Sequence, residues 1–350
     1  MIKIKRYFID KHASLATALK MMDEVKTKLL IVGSEKYFEG LLSIGDLQRA
    51  IIKNIDLNTP ISEVLRGDII VATENESRDD IRSRMLKIRA EFMPVLNHEN
   101  EIVDIIFWDD LFKYTKLPPL EKIKLPVVIM AGGQGTRLKP ITNVLPKPLI
   151  PIGEKPIVEH IIERFVQVGC SEFIFSVNYK SELIEYYFNS FNHPEYTIQY
   201  FKEEKPLGTA GSLHLLNGII KSTFFVSNCD IIIDQDYSEI YRYHKNNGNE
   251  LTLVAALKHY RIPYGTLETE EDGVLLSMQE KPELTFKINA GLYILEPHLL
   301  NEIPKNEFFH ITDLIQKIKN RNGKVGVFPV SEKSWRDIGE WDEYLKHKNS

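Results

Sequence analysis

Val127-Val128-Ile129-Met130-Ala131-Gly132-Gly133-Gln134-Gly135-Thr136-Arg137 decides how this chain folds. A short apolar run ended by glycine reads as a strand buried on both faces, as strands of parallel sheets are. Three glycines in four positions then let backbone amides approach a ligand, since no Cβ intervenes. Successive exposed amides make a concavity for an anion. Arg137 adds a planar fork suited to phosphate. A plain tight turn after a strand is the other reading of the glycines alone. Two familiar phosphate loops do not fit. A Walker loop needs Gly-Lys-Ser/Thr, and the dinucleotide fingerprint needs a third glycine where Leu138 stands.

Downstream the pattern alternates. Apolar strands are expected at Phe173–Val177, Ile198–Phe201 and Phe224–Ser227. Helices are expected at Ile157–Val168, Leu183–Phe188 and Ser212–Ile220. That alternation predicts an α/β domain with a largely parallel sheet. Ligands of such sheets sit at the carboxyl ends of the strands. Lys147, held between Pro146 and Pro148, is a fixed point charge close after the glycine loop. Asp230 follows the third strand, Phe224–Ser227, after Asn228 and Cys229. A carboxylate there suits Mg²⁺, or else caps a turn.

Composition bounds the rest. The chain has 350 residues, 43% hydrophobic and 27% charged, so it buries a sizeable core and divides into two or three domains. A net charge of -5 gives no basic footprint for nucleic acid. The longest apolar runs fall far short of the roughly 20 residues of a membrane span. Met1–Arg6 lacks the apolar core of a secretory leader. Cys170 and Cys229 both border apolar runs and read as buried, inert thiols in a reduced, cytoplasmic setting. No histidine or cysteine spacing marks a zinc site.

The first part of the chain repeats itself. Placed 64 residues apart, Leu29–Val32 falls on Met93–Leu96, Leu41–Leu47 on Ile105–Leu111, and Met21 on Met85. Each copy reads as helix, strand, turn, strand, helix, and each is too small to stand alone. Leu117-Pro118-Pro119 breaks the pattern. The expected division is 1–116, a linker at 117–125, and 126–350.

Gly132–Leu138 followed by Leu145-Pro146-Lys147-Pro148-Leu149 resembles the signature of sugar-1-phosphate nucleotidyltransferases. Later segments match in order: Pro206–Gly211, Asn228-Cys229-Asp230, Tyr264-Gly265, Glu280-Lys281-Pro282, Asn289-Ala290-Gly291 and Trp335–Gly339. The repeat resembles a tandem pair of cystathionine-β-synthase (CBS) domains. Together they are similar to guanylyltransferases acting on glucosamine 1-phosphate in legionaminic acid synthesis, then to those acting on mannose 1-phosphate. The resemblance implies a Rossmann-like, GT-A-like sheet and transfer of a nucleotide to a sugar 1-phosphate with release of pyrophosphate.

It also implies roles. Ala131, Gly132, Gly133, Gly135, Thr136, Gly208 and Thr209 hold the nucleotide. Arg137 takes the leaving pyrophosphate, Lys147 the phosphoryl centre and Lys281 the sugar phosphate. Gly265, Glu280 and Asn289 line the sugar site, and Asp230 with Asp337 holds Mg²⁺. GTP is favoured over UTP and dTTP, with Glu203 accepting from guanine and Glu204 as the near alternative. A solvated charge run is the other reading of that pair. In the repeat, Ser43 and Asp46 would hold the ribose of an adenine nucleotide, or cap the helix that follows. Asp110 is their counterpart. A homodimer through this part is expected.

Overall fold

The computed structural model describes residues 5–34, 37–112, 119, 121–191 and 193–347. They fall into two units, Met1–Pro118 and Pro119–Ser350.

In the first unit one copy runs β1 (Phe8–Ile9), α1 (Leu15–Val25), β2 (Leu29–Gly33), β3 (Phe38–Ser43) and α2 (Ile44–Ile52). The second runs β4 (Ala72–Thr73), α3 (Arg78–Ile88), β5 (Phe92–Leu96), β6 (Ile102–Phe107) and α4 (Trp108–Phe112). Each copy builds a three-stranded sheet, a parallel pair followed by a hairpin. α1 buries Leu15, Ala18, Leu19 and Met22, a 3–4 spacing.

The register corrects the expected alignment. Leu29 pairs with Ser43, and Phe92 with Phe107. The copies are therefore 63 residues apart through β5 and 64 apart from β6 onward. Met85 corresponds to the buried Met22, not to Met21. The extra residue lies in the second hairpin turn, where it leaves both strand pairings intact. Tyr7, Ile31 and Phe38 share a core with Phe92, Leu96 and Ile105, so the copies bury each other's apolar surface.

The second unit begins earlier than expected. Ile123 and Leu125 are buried, and the Ile123 amide donates to Val168 O at 2.7 Å. Residues 121–125 are thus packed rather than linking. Leu117, Pro118 and Leu120 of the expected linker lie outside the described residues.

Its elements follow in order. They are β7 (Val127–Met130), β8 (Pro151–Ile152), β9 (Lys155–Pro156), α5 (Ile157–Gln167), β10 (Glu172–Val177), α6 (Ser181–Asn189), β11 (Thr197–Lys202), β12 (Phe224–Asn228) and β13 (Ile231–Ile233). Then come α7 (Tyr237–Asn246), β14 (Leu251–Arg261), β15 (Thr266–Thr269), β16 (Leu275–Gln279), β17 (Glu283–Leu295), α8 (Ile311–Asn320), β18 (Val325–Val330), β19 (Trp335–Asp337) and α9 (Trp341–His347).

Seven strands form one sheet in the order β11-β10-β7-β12-β17-β14-β18. It is mixed but mostly parallel, with β17 antiparallel to both neighbours. Val127 and Ile129 face one apolar layer and Val128 the other, the alternation of a doubly covered strand. α5 closes one layer through Ile157, Val158, Ile161, Ile162 and Phe165. The expected helix at Ser212–Ile220 is instead a 3-10 segment, Gly211–Leu216. Gly211 and Gly218 bracket it and leave too short a run for an α-helix.

Two features project from the sheet's carboxyl end. β13 pairs with β19 as a small ribbon. β14 and β17 run on past the sheet as a long ribbon tipped by the β15–β16 hairpin.

Candidate active site

β7 and β12 are parallel neighbours, so their ends deliver the glycine loop and Asn228-Cys229-Asp230 side by side. Asp337 arrives from the far end of the chain. In the β13–β19 ribbon Ile231 pairs with Asp337, and the Ile338 amide donates to Asp230 O at 2.9 Å. This pairing sets Asp337 beside Asp230.

Lys147 forms an ion pair with Asp230. Their side chains are 12% and 7% exposed. Burial works against the Lys147 ammonium, but Asp230 outweighs it and holds its pKa above the ordinary value. Asp337 is pushed the opposite way for an acid. Burial, then the neighbouring Asp230 charge, raise its pKa, and the Gly339 amide, Lys147 and Arg137 recover only part of this. One lysine between two carboxylates leaves an excess negative charge.

Gly339 occupies the meeting point of these groups. A Cβ there would press on Asp230 Oδ2, 2.8 Å from Lys147 Nζ and 2.9 Å from Asp337 Oδ1. The Gly339 amide donates to Asp337 Oδ1 at 2.8 Å. No side chain fits between the three charges.

The glycine loop is held from below. Glu203 is buried, with one carboxylate oxygen accepting from Ser176 and the other from the Leu207 amide at 3.3 Å. A Cβ on Gly132 would stand 2.8 Å from Glu203 Oε1, so glycine is what lets the loop lie on this carboxylate. Glu203 thus lies against the glycine loop, with each of its oxygens already accepting one hydrogen bond from the protein. Glu204 is exposed beside it. Ala131 is buried and its amide pairs with Ser176 O at 2.8 Å. Gly133 and Thr136 are exposed on the loop, and Gly135 accepts from Thr142 Oγ1 through its carbonyl at 3.0 Å.

Arg137 forms an ion pair with Glu340, with side chains 56% and 49% exposed. Burial opposes the Arg137 charge, but Glu340 raises its pKa overall. Glu340 is a neighbour of Arg137 that the sequence did not single out. Its one signal was a carboxylate placed immediately after Trp335–Gly339.

Gly208 takes φ +82, and a Cβ there would strike Phe309 O at 2.7 Å. Thr209 Oγ1 accepts from the Ile311 amide at 3.0 Å, so Thr209 caps the start of α8. The remaining expected residues divide between the hairpin foot and β17. Glu280 and Lys281 stand at the foot of the β15–β16 hairpin, 3.9 Å apart and both more than half exposed. Glu280 Oε2 lies 3.0 Å from where a Gly265 Cβ would be. Asn289 donates to Tyr293 Oη at 2.8 Å and accepts from the Gly291 amide at 3.2 Å. Among the described residues, Glu280 and Lys281 make no ion pair with the Lys147 cluster.

In the first unit Ser43 and Asp46 form a capping box at the start of α2. Asp46 is 1% exposed in its side chain and also pairs with Arg49 and with Arg66 at 2.8 Å. Its oxygens serve the fold as it stands. Asp110 accepts from the Phe107 amide at 3.1 Å, the equivalent cap in the second copy, and is exposed.

A sequence profile of the family described as Nucleotidyl transferase matches residues 126–350. The chain belongs to that family. The nucleotidyl transferase unit is similar to the mannose-1-phosphate guanylyltransferase catalytic subunit beta of Drosophila pseudoobscura pseudoobscura, 32% identical over 235 residues, 62% of this chain and 60% of that protein. It is similar also to the mannose-1-phosphate guanyltransferase of Debaryomyces hansenii, 34% identical over 227 residues, 62% of each. The chain thus spans about three fifths of the length of these relatives. Among solved structures it resembles HddC from Yersinia pseudotuberculosis, with TM-score 0.50 and 27% identity over 64% of this chain and 98% of that one. The same protein complexed with GMP-PN is similar at 26% identity and TM-score 0.50. No helix among the described residues is long and apolar enough to cross a membrane.

Proposed function

We propose that the second unit transfers a guanylyl group from GTP to a hexose 1-phosphate, giving a GDP-sugar and pyrophosphate. The observation that carries this is the Lys147–Asp230–Asp337 cluster, Asp230 buried and its neighbours half-buried, beside a glycine loop that ends in Arg137. A sugar phosphate is already ionised at neutral pH and needs no general base. The barrier lies in bringing two polyanions together and in the charge that builds on the leaving pyrophosphate. Positioned cations answer both. On this reading Lys147 meets the phosphoryl group under attack and Arg137 the pyrophosphate that departs. Lys281, exposed at the hairpin foot beside Glu280, would meet the sugar phosphate.

The two carboxylates fit Mg²⁺. Their oxygens converge on Gly339, their charge exceeds that of Lys147, and hard oxygen donors are the ligands that ion takes. Once bound, Mg²⁺ would neutralise nucleotide phosphate charge. Asp230 and Asp337 are the residues that would hold it.

Guanine is favoured because the relatives' names include guanylyl transfer and the similar solved structure carries GMP-PN. Glucosamine 1-phosphate remains the sugar suggested by the two-part architecture. Mannose 1-phosphate is the second reading, favoured by the relatives' names. We also propose that the first unit is a CBS pair that binds an adenine nucleotide and joins two chains. The doubled β-α-β-β-α pattern supports it. The test is pyrophosphate release across a matrix of GTP, UTP, dTTP and CTP against glucosamine, mannose and glucose 1-phosphates. Turnover with GTP and one hexose 1-phosphate is expected, and no pyrophosphate in any combination refutes the reading.

A further inference from the structure

We propose that Glu340 is the resident counter-ion of Arg137 and competes with polyphosphate for it, setting how tightly triphosphate and pyrophosphate are held. This rests on the transferase reading above. Three observations lead to it. Arg137 is the loop's only guanidinium, and among the described residues its only ion pair is with Glu340. A guanidinium keeps its charge at every working pH, so only its partner changes. Both side chains are about half exposed, and such pairs contribute little, so a multiply charged phosphate displaces the carboxylate easily.

The setting keeps Glu340 in place when Arg137 leaves. Trp341 Nε1 donates to Lys139 O at 2.9 Å, a neutral clasp between α9 and the segment after the glycine loop. The Tyr344 amide pairs with Glu340 O at 2.9 Å and fixes Glu340 at the head of α9. An incoming polyphosphate therefore meets Arg137 already aimed and the loop already held, but it must outbid a fixed negative charge. Departing pyrophosphate is replaced by that same charge. Glu340 acts through Arg137 and is a positioning residue.

The experiment is calorimetric titration of inorganic pyrophosphate into the full chain as wild type, Glu340→Gln, Arg137→Gln and the double variant. Glu340→Gln should bind roughly 1.5- to 5-fold more tightly than wild type, the range typical of exposed ion pairs. The gain should vanish in the Arg137→Gln background, which isolates the pair, and should shrink with added salt. In turnover assays KM for GTP should fall by a similar factor without a rise in kcat. Unchanged or weaker binding by Glu340→Gln, or an equal gain without Arg137, overturns this proposal alone. Failure of wild type and all variants to bind pyrophosphate overturns the transferase reading and this proposal with it.

Discussion

A single methyl group at Gly339 should disable the site while sparing the fold. Gly339 is not among the positive-φ glycines, so alanine suits its backbone. The added carbon would lie 2.9 Å from Asp337 Oδ1 and 2.8 Å from Lys147 Nζ, and closer still to Asp230 Oδ2. Ordinary non-bonded separations are about 3.5 Å, so Asp337 must yield by ~0.6 Å and Asp230 by more. Misplacing reacting groups by about 1 Å costs on the order of 10²-fold, or ~2.7 kcal/mol of barrier. Overpacking costs about 1–3 kcal/mol of stability, and the lower end is expected because the Lys147 side chain is flexible. The assay is pyrophosphate release at saturating GTP and Mg²⁺, beside thermal unfolding. Gly339→Ala should fold and lose about two decades in kcat. Turnover within threefold of wild type would mean that Asp230, Lys147 and Asp337 do not act as one cluster.

Three further outcomes follow from the same geometry. Lys147→Met should lower turnover on the order of 10²- to 10³-fold, and cost about 3 kcal/mol of stability by leaving Asp230 unpaired; wild-type kinetics would remove Lys147 from the reaction. Asp337→Asn should abolish most activity yet stabilise the metal-free protein by about 0.5–2 kcal/mol. Its raised folded pKa means the carboxyl favours folding when protonated at acid pH and opposes it as pH rises through that value. The stabilisation should therefore be present at neutral pH and vanish on acidification, and a destabilised variant at neutral pH would contradict the assignment. Glu203→Ala should cost about 1–3 kcal/mol by orphaning the Leu207 amide and leaving Ser176 with Ser212 alone. Glu203→Gln should restore stability and keep the GTP to UTP ratio, and a collapse of that ratio would return Glu203 to a base-reading role.

The parts of this molecule visible in its sequence are those with strong local signals. The apolar runs at Val127–Met130 and Phe224–Ser227 announced central strands, and their ends announced the glycine loop and Asp230. The repeat was legible in composition, but not the one-residue step inside its second hairpin, because a turn absorbs an insertion without disturbing either strand. Gly211–Leu216 carried helical periodicity, and its bracketing glycines decided otherwise. Charge alone could not tell that Glu203 turns inward. That depends on Ser176, which comes from β10, a strand apart in sequence. Likewise the Arg137–Glu340 pair joins residues with no local relation, and the β13–β19 pairing and the Trp341–Lys139 bond bring Glu340 near the loop.

That pairing also orders the birth of the site in time. Ile231 and its partner Asp337 are separated by 106 residues (231 to 337). A ribosome adding roughly 5–20 residues per second needs several seconds to travel from one to the other. β7, β10 and β12 are by then already made, and so are the glycine loop, Lys147 and Asp230. During that interval Asp337, Gly339 and Glu340 have not yet been made. On the proposed reading the three-charge cluster cannot close until β19 has emerged and paired with β13.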